Sequence, residues 1–399
     1  MIDNVTLIIT ISLVIVFSPF FAKLLRIPTT PVEIILGALL GYAGLLHRHS
    51  LFEFVAEVGF LFLMFIAGTE IDLRKVIKIS ASLMRRIFLY ISLLYLLSIS
   101  FSLYFELGKV IMVLLPLISI GLVATLSKEY GKTEWLALSM TAGGIGEVIS
   151  IGVLTISSAI FKFGISPDLF KTIGELVLFI VFIYLLFRIL RLLFWWFPEV
   201  LISLMPHQDN KEQDIRLSMG IFIILIAIML YLDLELAFGA FIAGIFIPTF
   251  FEHKHELPEK LSSFGFGFFI PIFFIYIGTT FDIGALGMEK LIAAALIITL
   301  VMITMRVGSS LVFIKVLGIR NSVLMGLSHS MPLTLLIAVA TLAYHAHSID
   351  KLHYYAFILA ALFEVIIAMV SIKIIYKDAD DVNSVNRSKK KRFFLSRKR

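Results

Sequence analysis

Long apolar stretches fill the chain and are interrupted by short polar clusters. A helix needs about 20 mostly apolar residues to cross roughly 30 Å of hydrocarbon. Thirteen stretches are candidates, several of them short: residues 5–25, 31–46, 54–69, 86–107, 110–127, 135–161, 172–196, 216–232, 235–250, 265–280, 291–314, 322–344 and 354–376. The pattern predicts an all-α integral membrane protein with about 13 transmembrane helices. The first stretch follows Met1-Ile2-Asp3-Asn4 with no positive n-region and no small-residue cleavage site, so it is expected to be a retained helix and not a signal peptide.

Composition agrees with this reading. The 399 residues are 60% hydrophobic and 16% charged, with a mean hydropathy of +1.02, against a charged fraction of about 25% in soluble domains. That excludes a soluble enzyme, a nucleic-acid binder and a disordered scaffold, despite the net charge of +6. With no cysteine, disulfide frameworks, thiolate metal sites and cysteine nucleophiles are also excluded.

Lysine and arginine set the topology, since cytoplasmic loops carry their excess. With the N-terminus outside, seventeen fall in loops on the cytoplasmic side, among them Arg26, Lys75, Lys132, Lys211 and Lys254, and ten more lie in the tail from Lys373. Only six, including Arg48, lie opposite. The one left over is Arg306, inside the eleventh span.

The chain also repeats itself at an offset growing from 202 to 217 residues. Glu33-Ile34-Ile35-Leu36-Gly37-Ala38 matches Glu235-Leu236-Ala237-Phe238-Gly239-Ala240, and Gly68-Thr69 to Asp72 matches Gly278-Thr279 to Asp282. Pro116-Leu117 with Val123-Ala124-Thr125-Leu126 matches Pro332-Leu333 with Val339-Ala340-Thr341-Leu342, and Glu147 falls one residue out of register with Glu364. Matched segments lie seven spans apart, so the copies cross the membrane in opposite directions. The expected organisation is an inverted repeat, spans 1–6 (residues 1–171) and spans 8–13 (215–376), joined by a linker helix and loop (172–214) and followed by a basic cytoplasmic tail (377–399). Secondary transporters are built this way, with the site at the repeat interface and often on broken helices. Pro116 and Pro332 mark the expected breaks, because proline removes an N–H and frees a carbonyl; two ordinary proline kinks are the alternative. Ser119, Gly121, Ser330 and Thr334 beside them are small or polar.

Glu147, Arg306 and Glu364 are the candidate buried charges of the spans. Glu147 sits near the middle of the sixth, on a narrow face with Ser139, Gly143 and Ser150. A carboxyl at that depth is costly and by default functional. Burial disfavours its charged form and a cation restores it, so proton and metal cation compete for one group; a protonated acid serving as polar glue is the alternative. Arg306 needs a carboxylate or carbonyl partner, and Glu147 and Glu364 are the two intramembrane acids able to serve. A guanidinium keeps its proton, so Arg306 is expected to compensate charge or to form a structural pair. Elsewhere, His345, His347, Asp350 and His353 lack a compelling metal-ligand spacing, and His253 and His255 fall in a loop. Glu33, Glu70, Asp72, Asp233, Glu235 and Asp282 are expected near helix ends, within reach of water.

Several segments together resemble the monovalent cation:proton antiporter-2 family, the Kef-type and related sodium or potassium/proton exchangers. They are Gly37-Ala38-Leu39-Leu40-Gly41, Glu57 to Phe65, Gly68 to Leu73, Gly239 to Gly244 and Pro271-Ile272-Phe273-Phe274. The resemblance covers residues 5–376. It implies a dimerisation domain and a moving core in which two broken helices, here the fifth and twelfth spans, cross. It also puts Glu147 where the family keeps its ion-binding aspartate and Arg306 where it keeps a lysine or arginine. The sequence departs from the family in having Gly146 before the acid, Ile118-Ser119 for the usual Thr-Ser, and Leu333-Thr334-Leu335 on the second broken helix. One carboxylate with one arginine suggests electroneutral exchange. Larger Kef-type members append a nucleotide-binding domain, which is not expected here.

The sequence thus leads us to expect a transporter, not an enzyme, that needs no cofactor and exchanges Na+ or K+ for H+ by alternating access. Glu147, Ser119 and Thr334 would hold the ion, with Arg306 and Glu364 as compensating charges. Membrane lipids and a second copy in a homodimer are the expected partners, nucleic acid is not, and the resemblance puts the protein in the bacterial inner membrane. A sodium-coupled symporter of a small organic solute and a non-transporting sensor subunit are the alternatives.

Overall fold

A computed structural model describes the chain except residues 1, 26, 48, 73, 75–77, 106–108, 132, 165, 198, 200–211, 252–255 and 397–399. Within helices it leaves out the side chains of 2–4, 124, 125, 127–129, 158, 161, 162, 194, 334 and 377–396. His253, His255, Arg26, Arg48, Lys75, Lys132, Lys211, Lys254 and the side chains of the basic tail therefore lie outside the described residues, as does the Thr334 side chain.

All regular secondary structure among the described residues is helical. In order come α1 (Ile2–Leu25), α2 (Thr29–Tyr42), α3 (Ser50–Thr69), α4 (Ala81–Tyr104), α5 (Lys109–Leu114), α6 (Gly121–Tyr130), α7 (Glu134–Phe163), α8 (Pro167–Trp196) and α9 (Gln213–Tyr231). Then follow α10 (Leu236–Phe250), α11 (Leu257–Phe264), α12 (Ile270–Thr280), α13 (Leu291–Ser310), α14 (Ile314–His329), α15 (Leu333–His345) and α16 (Lys351–Ser396). Among the described residues nine helices or joined helices are long and apolar enough to cross a membrane, and α2, α10 and residues 335–345 are shorter apolar helices. The chain is a multi-pass membrane protein.

Both breaks expected at the prolines are present: residues 115–120 separate α5 from α6, and the twelfth span is interrupted at 330–332 between α14 and α15. One start differs from the pattern reading. The tenth begins at Leu257 and runs through a wider turn, Gly265–Phe269, into α12. Its charged start reads as a loop, yet Pro258 and Glu259 are helix-opening residues, and Leu257 and Leu261 on its inner face are buried. Inside α14 the backbone turns at Gly318, whose φ of 77° suits glycine.

The helices divide into two compact units. The first comprises Met1–Ser80, Glu147–Ala294 and Ala338–Ala356. In it α2 lies against α12 and α3 against α10 at backbone distance. A Cβ on Gly37 would strike the Ile275 carbonyl, and one on Gly278 the Ile34 carbonyl; one on Gly244 would strike the Phe65 carbonyl, and one on Gly68 the Phe241 carbonyl. Small residues at such crossings let apolar helices gain van der Waals contact where water supplies no driving force. The second unit comprises Ala81–Gly146, Ala295–Ile337 and Phe357–Arg399. The division falls inside α7, between Gly146 and Glu147.

Candidate functional site

Both helix breaks lie in the second unit. At the first, Pro116 has no N–H to offer the carbonyl of Met112 four residues earlier, and Ser98 Oγ of α4 donates to that carbonyl at 2.8 Å. On either side of the proline, the carbonyls of Leu115 and Leu117 accept from Arg306 Nη2 at 3.1 and 2.7 Å. Arg306 Nη1 donates to Met302 O at 3.0 Å and stands 3.6 Å from Glu364 Oε1. Arg306 and Glu364 are fully buried. One guanidinium therefore both caps an interrupted helix and neutralises a carboxyl, which suits its planar, multi-donor head. Arg306 Nε, both Glu364 oxygens and Ser309 Oγ are buried without a hydrogen-bond partner among the described residues.

The second break follows His329, the last residue of α14. Its ring, fully buried, has Nδ1 2.8 Å from Tyr90 Oη and Nε2 2.9 Å from the Ser139 carbonyl. The Ser328 hydroxyl donates to Met325 O at 2.8 Å and lies 3.1 Å from Ser139 Oγ. The Ser330 hydroxyl turns back to Gly326 O at 2.9 Å.

Residues from both breaks rest on one stripe of α7. A Cβ at Gly143 would come within 2.6 Å of Ile120 Cγ2 and 3.0 Å of His329 Nε2, and one at Gly146 within 2.5 Å of Ile118 Cδ1. The next residue is Glu147, fully buried, as are Ser139 and Ser150 on the same face. Ser119, within the first break, is buried.

Some expected residues thus come together. Arg306 meets Glu364 and the Pro116 break; Ser119 and Pro116 share that break, and Pro332 stands in the other. The carbonyls of Leu115 and Leu117, on either side of Pro116, already accept from Arg306. Glu33 departs from expectation. It is buried in the first unit, where Ser18 Oγ donates to its Oε1 at 3.3 Å, and no water-exposed helix end holds it. Sequence reasoning missed Tyr90, Ser98, Ser328 and His329. The signal for His329 was available: a histidine three residues before a mid-span proline, flanked by two serines.

Among the described residues no group of three His, Asp or Glu side chains could hold a metal ion. His353 instead donates its N–H (2.7 Å) to Asp350 Oδ1, with its ring Nδ1 2.8 Å from the same oxygen. Slight burial pushes the Asp350 carboxyl up, but these contacts outweigh it and hold the group below the usual carboxylate range. The first unit also encloses a cavity of about 370 Å³ lined by Glu53, Glu57, Asp233, Glu235 and His345, among others.

Interrupted helices around buried charges, in a chain with this many membrane-length helices, define a polytopic membrane protein with a charged, partly unwound interior. The profile of the sodium/hydrogen exchanger family, transmembrane region, matches residues 8–378, and the chain belongs to that family. The protein YjbQ of Bacillus subtilis is 26% identical over 383 residues, covering 88% of this chain and 60% of that protein. The Na(+)/H(+) antiporter of Enterococcus hirae is 27% identical over 296 residues, 69% of this chain and 72% of the relative. This chain spans about three fifths of the length of the first of these relatives. The fold is similar to that of the sodium proton antiporter MjNhaP1 from Methanocaldococcus jannaschii, with a TM-score of 0.65 and 14% identity, covering 93% of this chain and 99% of that one.

Proposed function

We propose that this protein exchanges a monovalent cation, Na+ or K+, for H+ by alternating access, with Glu147 as the shared site. The observation that carries the reading is a fully buried carboxyl on a long apolar helix, one residue beyond the glycine stripe that receives both helix breaks. Such a group is stable either protonated or paired with a cation, and unstable bare. Protonation on one side expels the cation, and loss of the proton on the other readmits it. The Na(+)/H(+) antiporter name of the Enterococcus hirae relative supports the same chemistry.

In this reading Ser119 and Thr334 contribute side-chain oxygens, and the breaks at Pro116 and Pro332 supply unwound backbone. Arg306, already engaged by Glu364 and three carbonyls, is a fixed compensating charge, so one proton moves for one cation and the exchange is electroneutral. The inverted repeat is part of the proposal. Its support is that α2 packs on α12 as α10 packs on α3, the exchange of partners that two inverted copies produce. These contacts give Gly244 the role of Gly37, where the sequence match gave it to Gly239. Charge asymmetry supports an N-terminus outside and a C-terminus in the cytoplasm, in the inner membrane, and a homodimer completes the reading.

The test is a pH-sensitive dye enclosed in proteoliposomes, with Na+, K+ or Li+ added in turn. Wild type is expected to move protons on addition of at least one cation, and Glu147→Gln to lose this by at least about 100-fold. Wild-type rates in Glu147→Gln would overturn the assignment, and cation uptake that moves no protons would overturn the exchange itself.

A further inference from the structure

His329 is the one fully buried histidine among the described residues, and nothing in the exchange reading uses it. Its hydrogen bonds fix its form. The Ser139 carbonyl can only accept, so Nε2 carries the proton, and in a neutral ring Nδ1 is left to accept from the Tyr90 hydroxyl. The ring thus joins three separate helices: α14 at the edge of the second break, α4 through Tyr90, and α7 through Ser139. Gly143 gives it room against α7, since a Cβ there would lie 3.0 Å from Nε2 and press the ring back. The neighbouring Ser328 meets the same residue, Ser139, at 3.1 Å through its hydroxyl. The last two residues of α14, just before the break, therefore grip one residue of α7, eight positions before Glu147. At 1.5 Å per residue this is about 12 Å along the helix.

We propose that His329 is a positioning residue for exchange, fastening the second helix break to the helix that carries Glu147. The inference rests on the exchange reading. The Ser139 arm sets where the break stands along α7, and hence the geometry of the oxygens the break presents to the ion. The Tyr90 arm holds the ring in the tautomer that can donate to Ser139.

Two amides divide the ring between them. In His329→Gln the amide nitrogen reaches the position of Nε2 and can still donate to Ser139. In His329→Asn the shorter amide reaches only the position of Nδ1 and keeps the Tyr90 contact alone. With exchange measured in proteoliposomes across a range of cation concentrations, and each variant matched for monodisperse reconstituted protein, His329→Asn is expected to raise the cation KM about tenfold. His329→Gln is expected to stay within about threefold of wild type, and Tyr90→Phe to fall between them. Gln and Asn variants that behave alike, or variants that lose folded protein with the cation KM unmoved, would overturn the inference alone. A silent wild type overturns the exchange reading and this inference with it.

Discussion

The principal helix contacts described in the two compact units are made by different means. In the first, α2 against α12 and α3 against α10 approach backbone to backbone, with Gly37, Gly68, Gly244 and Gly278 at the contacts. In the second, donors reach across to an interrupted helix: Ser98 to Met112, and Arg306 to Leu115 and Leu117. The difference follows from the state of the helices. A regular helix satisfies its own backbone, so removing side chains is enough to bring two of them together. An interrupted helix leaves carbonyls open in a setting without water, and neighbouring side chains must supply the donors.

The largest test of that contrast is Arg306→Gln. It leaves Glu364 without its cation and strips donors from the carbonyls around Pro116, and is expected to destabilise the protein by about 3–5 kcal/mol. The measurement is the thermal midpoint of the purified protein in detergent. Adding Glu364→Gln is expected to restore part of the loss, because the second change removes the stranded charge. Full additivity of the two changes would mean that the pair is not coupled.

Gly244→Ala probes the other unit with the same measurement. The new methyl meets the Phe65 carbonyl and the Gly68 backbone, neither of which can turn aside, and the expected loss is about 1–3 kcal/mol. A neutral result would mean that the helices separate at little cost and that the close approach is not what holds them. Ser98→Ala is the smallest of the three. It orphans the Met112 carbonyl, for an expected loss of about 1–2 kcal/mol, and Ser98→Thr, which keeps the donor, is expected to lose less.

The sequence made the spans legible because lipid imposes length and polarity at once, and neither depends on which helix packs on which. The positions of the breaks were legible for a similar reason, since proline acts on its own backbone. Glu147 and Arg306 stood out as charges in apolar surroundings. The donors that serve the breaks were not visible in this way. Ser98 looks like any serine in an apolar helix until Met112 is seen beside it, and a neutral histidine contributes nothing to a charge count. Glu33 misled because a position near a helix end suggests water, whereas burial is decided by the neighbour, here Ser18 of α1. The start of α11 was missed because its charges face outward while Leu257 and Leu261 face in.

The contact between Ile118 and Gly146 also constrains how this spot can change by descent. A side chain at 146 would meet the Ile118 Cδ1 methyl, so that methyl must swing aside or be lost before the space is free. A polar group beside Glu147 therefore arises most easily with Ile118 shortening first and residue 146 growing second. The reverse order passes through an intermediate in which Ile118 is displaced from its place, and overpacking of this kind costs up to about 1–3 kcal/mol. In lineages descending from this sequence, the two positions are expected to vary as a pair.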